Sequence, residues 1–214
     1  MKTQILSFVL ISLLISCNSK PNENATPEPA PTPEVEFPKN QQLTKEQQIK
    51  AALFAAPSDA RDGAMVYGFD DNNEFVVIKE GTNEFICIAD DPKKDGFQVA
   101  AYHKSLEPYM ARGRALNKEG KGRKEKEEIR SSEAASGVLK MPESPAVLHL
   151  YYGKDGYFDT EIDSIKNAKY RYVVYIPYAT QKSTGLGLSP NKSGHPWLMF
   201  PGAYNSHIMI TPIE

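Results

Sequence analysis

Thirteen residues, His195-Pro196-Trp197-Leu198-Met199-Phe200-Pro201-Gly202-Ala203-Tyr204-Asn205-Ser206-His207, gather the sole tryptophan, a tyrosine and two of the four histidines on one stretch. Its prolines and glycines could shape a pocket rim, and aromatic side chains with polar tips make ligand walls at low entropic cost. Trp197, Tyr204 and His207 are therefore the candidate ligand-binding residues, and His207 is the one candidate general base. The competing reading is that Trp197, Leu198 and Phe200 close a core in which His207 finds a hydrogen bond.

Other chemistries find less support. His103, His149, His195 and His207 form no H-x-x-x-H pair of the kind that fixes zinc from one helix, so no metal site is assigned. There is no G-x-S-x-G elbow. Ser189-Pro190-Asn191-Lys192 and Lys192-Ser193-Gly194 imitate two elements of penicillin-binding enzymes, but they overlap in one loop instead of converging from distant parts of the chain. Gly185-x-Gly187 lacks the third glycine of a dinucleotide fingerprint, and no cofactor is expected. Asp70-x-Asn72-x-Glu74 lacks the glycine of a calcium loop and reads as a turn. No residue is assigned a catalytic role.

Cys17 is a residue on which chemistry is done. Lys2 precedes an apolar run over 5–15, broken only by Ser7 and Ser12, which Leu14-Ile15-Ser16-Cys17 closes. A run of about eleven residues is too short for the roughly twenty that span a bilayer and has the length of a secretory signal. The stretch resembles the bacterial lipoprotein signal. That resemblance implies cleavage before Cys17, acyl chains on its thiol and new amino terminus, and an extracytoplasmic domain held at a periplasmic leaflet or the cell surface. Two or three chains would hold it nearly irreversibly, since each buried methylene contributes about 0.8 kcal/mol.

Charge and cysteine count narrow the partners. The full chain has 25 basic and 27 acidic residues, and loss of Lys2 with residues 1–16 leaves 24 against 27, a net charge of −3. That offers nucleic acid no general attraction. With Cys17 acylated, Cys87 has no disulfide partner; its setting, Phe85-Ile86-Cys87-Ile88-Ala89, is that of a buried small hydrophobe. Residues 18–40 hold six prolines and, among sizeable hydrophobes, only Val35 and Phe37. Too little apolar area is present there to offset ordering, so a disordered tether is expected, with a reach on the order of 70 Å at ~3.1 Å per residue.

The elements that must position these residues begin at Thr44-Lys45-Glu46-Gln47, a capping box opening a helix that stops before Pro57. Strands are expected over 64–69, 74–79 and 84–89 as an antiparallel meander, with turns at 70–73 and 80–83. The spacing over 97–116 predicts two helical pieces meeting near Glu107, because Pro108 would kink a continuous helix. Residues 118–130 pack six basic and four acidic side chains and read as a solvated helix. The strongest strands are 146–152 and 170–178; from Tyr172 onward both parities of the second are apolar, the pattern of a strand covered on both faces. A loop rich in glycine and proline then leads to a short last strand over 206–211.

Ala55-Ala56-Pro57, Lys79-x-Gly81-Thr82-Asn83-x-Phe85-x-Cys87 and Ser206-His207-Ile208-Met209-Ile210 resemble the recurring phrases of an uncharacterised family of secreted bacterial proteins. The resemblance covers about a third of the chain and implies no activity. Asp91-Pro92 is followed here by Lys93-Lys94, where that family's pattern has a second cysteine.

The expected organisation is a signal over 1–16, a lipidated cysteine and tether over 17–40, and one α+β domain over 41–214. Its fold is expected to be an antiparallel sheet of five to seven strands with helices packed on one face. The expected function is a non-catalytic, lipid-anchored module that binds a small ligand, cell-wall component or envelope protein. The alternatives are a small envelope hydrolase with His207 as general base, and a structural spacer with no cleft.

Overall fold

Thr44 opens the folded region as its residue type demands. In the computed structural model, which describes residues 41–192 and 194–212, helix α1 (Lys45–Leu53) starts with both halves of a capping box. Gln47 N–H donates to the Thr44 hydroxyl and Thr44 N–H donates to the Gln47 side chain. The expected signal, Cys17 and the tether lie outside the described residues.

Strands β1 (Met65–Phe69), β2 (Phe75–Lys79) and β3 (Phe85–Ile88) follow within a residue of their expected bounds. Between the first two, Asp70 accepts from the backbone N–H of Asn72 and of Glu74, each at 2.9 Å, and so closes a turn. The expected meander is corrected, however: β3 pairs with β1 in parallel, and not with β2. After β2 the chain crosses back past the start of β1, where Thr82 and Asn83 donate to the Gly63 carbonyl. Gly81 permits the crossing, because a Cβ there would stand 2.4 Å from the Met65 nitrogen.

The remaining elements are β4 (Phe97–His103), a 3-10 turn (Lys104–Leu106), α2 (Glu107–Lys118), α3 (Arg123–Ala135), β5 (Ala146–Gly153), β6 (Tyr157–Asp159), β7 (Ser164–Lys166), β8 (Lys169–Tyr175), α4 (Gln181–Thr184), β9 (Trp197–Met199) and β10 (His207–Ile210). The stretch expected to be helical from Phe97 is thus a strand up to His103. Phe97, Val99 and Ala101 are buried on one side and Tyr102 on the other, and apolar residues at both parities imitate helical spacing. The helix starts at Glu107, with Pro108 in the first turn where proline is tolerated.

One mixed sheet of eight strands runs β2-β1-β3-β4-β5-β8-β10-β9, antiparallel except at β1 and β3, and β6 and β7 form a separate hairpin. The α+β class holds, while the count exceeds five to seven because β4 carries helical spacing and β9 lies among the prolines and glycines of an expected loop. The expectation of helices on one face is also corrected. Ala51 and Ala52 of α1 join Val66, Cys87, Val99 and Ala101 in one cluster. Tyr109 of α2 and Ala134 of α3 join Ile86, Tyr102, Val173 and Tyr175 in another. Alternate residues of β3 and β4 fall in different clusters, so the helices lie on opposite sides of the sheet, as strands apolar at both parities require.

Candidate functional site

The tail residues come first. His207 is only 9% exposed, and its Nδ1 lies 2.8 Å from the backbone oxygen of Asn205, its one hydrogen-bond partner among the described residues. Burial lowers its pKa, against the opposing pull of that carbonyl, so the neutral ring is favoured. Tyr204 is buried and donates to Glu127 at 3.0 Å; Asn205 Nδ2 donates to the same carboxylate oxygen, also at 3.0 Å. Tyr109, Tyr175 and Phe200 complete the surroundings: Tyr175 and Phe200 lie 5.0 and 5.6 Å from the His207 ring, and Tyr109 lies 6.2 Å from Tyr204. Trp197 pairs with Met209 while Met199 pairs with His207, which puts Trp197 and His207 on one sheet face. The Trp197 indole N–H donates to the Met199 sulfur at 3.1 Å. Tyr204 and His207 are buried and Trp197 is half-buried on the same face; among the described residues His207 has no hydrogen bond to an ionisable or hydroxyl side chain.

The opposite face is built differently. The side covered over β3 and β4 by α1 continues onto β5 and β8, where register sets Tyr151 beside Tyr170 and His149 beside Tyr172. Tyr170 and Tyr172 belong to neither core cluster and, like Tyr151, are half-buried. The Tyr170 ring centroid lies 4.6 Å from that of Tyr151 and 4.7 Å from that of Tyr172, and the Tyr172 ring crosses that of His149 at 5.3 Å. Phe85 and His103 of β3 and β4 extend the cluster, with Phe85 6.3 Å from His149. Such tilted and edge-on contacts are favourable for aromatic pairs.

Hydrogen bonding fixes the charge of this face. His149 Nδ1 and the Tyr170 hydroxyl are 2.7 Å apart. Burial lowers the His149 pKa, so the ring is neutral near pH 7. Burial, followed by the neighbouring Tyr172, raises the Tyr170 phenol, which stays protonated. The neutral pair is satisfied in either tautomer, with Nδ1 accepting from the phenol or donating to its oxygen. The result is an uncharged surface of tyrosine rings and hydroxyls over a buried His149, which is 8% exposed. In the sequence His149 lies on a strand and both tyrosines lie in strands, with nothing that joins them. The signal was the shared parity of 149 with 151 and of 170 with 172, which becomes a cluster only once β5 and β8 are known to pair.

A cleft of about 400 Å³ lies elsewhere, where residues 41–48 meet the β1–β2 turn. Gln48, Phe69, Asp70, Ile78 and Asp90 are among its walls, and none of Trp197, Tyr204 or His207 is. Burial pushes the Asp90 carboxyl up to about 6, although it accepts from Gln98 N–H at 2.7 Å. Gln48 bridges both backbone groups of Phe69, so this end of the cleft is held by hydrogen bonds within the protein. Among the described residues no group of His, Cys, Asp and Glu is arranged to hold a metal ion.

Compared with protein-family models, curated proteins and solved structures, the chain matches none. Its function is therefore argued from its own residues.

Proposed function

We propose that the chain is a lipid-anchored extracytoplasmic binding module of the bacterial envelope, held by acyl chains on Cys17 and carrying no catalytic group. Its working surface is the tyrosine and histidine face of β5 and β8. The observation that supports this is the half-exposed cluster of Tyr151, Tyr170 and Tyr172 around His149, with two of its tyrosines outside both cores. Rings of this kind are commonly buried against a core or used against a partner. The partner is a small ligand, a cell-wall component or an envelope protein; the charge balance gives no reason to choose nucleic acid. The hydrolase alternative would need a proton-transfer partner for His207, and its bond to a backbone carbonyl gives that reading no support.

The test is a titration of the soluble Cys17→Ser protein, its tyrosine ring carbons labelled, with solubilised envelope fragments. Resonances of Tyr151, Tyr170 and Tyr172 shift or broaden, while Tyr109 on the other side stays unchanged. No change at the three, or equal change at Tyr109, would overturn the proposal.

A further inference from the structure

We infer that the face formed by Tyr151, Tyr170 and Tyr172 over the buried His149 binds a neutral glycan, a sugar ring laid against the aromatic rings and its hydroxyls bonded to the phenol tips. This rests on the reading of that face as the working surface and adds the class of ligand.

Charge is the first argument. The side-chain positions that β5 and β8 present here are Val147, His149, Tyr151, Tyr170, Tyr172 and Val174, and none carries a formal charge when His149 is neutral. Arg61 is the nearby cation that acts on the Tyr170 phenol. Its guanidinium already donates to the carbonyls of Ala56 at 3.1 Å and Phe54 at 3.2 Å, and it lies 5.1 Å over the Phe54 ring. An anionic ligand would lose hydration without gaining a dedicated counter-charge. A cationic ligand would meet no carboxylate among those six positions.

Polarity is the second. A purely apolar partner would strand the Tyr151 hydroxyl and the open acceptor sites of the Tyr170 and Tyr172 oxygens, each a cost once water is excluded. A sugar ring has an apolar C–H face and a rim of hydroxyls that both donate and accept. It satisfies both parts of the surface at once: C–H groups on the rings, hydroxyls on the tips.

Size is the third. The Tyr151–Tyr170 and His149–Tyr172 rungs are adjacent along the strands, and the Tyr170 ring lies 4.6 Å from that of Tyr151 and 4.7 Å from that of Tyr172. The rungs thus form one compact patch, on the scale of one sugar ring of an oligomer. Beyond the rungs, half-buried Val147, Val174 and Ile208 continue the same side toward β10.

The soluble Cys17→Ser protein is titrated by calorimetry with three probes: cellohexaose, chitohexaose and the acidic hexagalacturonate. At least one neutral hexamer binds saturably, and 0.5 M salt leaves its affinity unchanged because there is no ion pair to screen. Tyr172→Ala weakens it at least tenfold, as removal of a stacking ring from a base does. Tyr151→Phe, which keeps the ring, weakens it severalfold, and Arg171→Ala on the opposite side leaves it unchanged. Circular dichroism confirms that each variant is folded.

Failure of both neutral hexamers overturns the glycan inference, as does salt-sensitive binding of hexagalacturonate alone, or binding that survives Tyr172→Ala. Light scattering that shows a dimer abolished by Tyr172→Ala also overturns it, in favour of a second copy. If the hexamers fail while envelope fragments still broaden Tyr151, Tyr170 and Tyr172, only the ligand class falls. If both fail, the working-face reading falls with it.

Discussion

Single residues carry the clearest physical consequences. Cys87 is fully buried and burial pushes its thiol up to about 12, so the folded protein resists a thiol-specific reagent near pH 8 and reacts promptly in denaturant. Rapid labelling of the native state would contradict its placement in the core. Asp90 works in the other direction from an ordinary carboxylate. Its folded value of about 6 stands above the ordinary 3.8, so the stability it contributes is fully present below 3.8 and is lost as pH rises through 6. Asp90→Asn should therefore stabilise the protein at pH 7 by about 1 to 2 kcal/mol, after discounting for its contact with solvent, with the gain fading near pH 4. Denaturant melts at the two pH values check this. His149 and His207 are depressed by burial, so their contribution is present above their ordinary value near 6.5 and is lost as pH falls below it.

At the scale of elements, what was legible depended on whether the signal was local. The Thr44 cap, the Asp70 turn and the Pro108 boundary are contained within a few residues, and each is found where the residue types put it. The character of 97–103 was not legible, because a strand packed on both sides loses the period-two alternation that marks a strand. The parallel pairing of β1 with β3 was hidden for a different reason. It depends on Gly81 passing against Met65, a contact between residues distant in sequence. Gly81→Ala should cost about 2 kcal/mol or more, since the neighbouring atom is backbone and cannot turn aside; thermal melts would show it. Helix α3 has no buried residue and is fastened through Glu127 to Tyr204 and Asn205, and through Glu133 to Arg112 of α2. Glu127→Ala should speed amide exchange in α3 about tenfold or more and leave β4 and β5 protected.

In the whole molecule, the proposed anchor at Cys17 and the proposed aromatic face lie far apart in sequence. Nearness in sequence marks out the tail residues, and in the fold Tyr204 and His207 are buried. The aromatic face was invisible in the chain because residues 149–151 and 170–172 meet only when two strands separated by a hairpin pair. On the proposed anchoring, the wild type stays with membranes through a high-salt wash and Cys17→Ser is released into the wash; a wild type that washes off freely contradicts it. The surface can be tested on the anchored protein by placing a photoreactive benzophenone side chain at position 172, or at the adjacent position 171 on the other side of the sheet, and irradiating intact cells. The account predicts an adduct of the chain with an envelope component from position 172 and little from 171. Equal yields from the two positions, or none from 172, would contradict it.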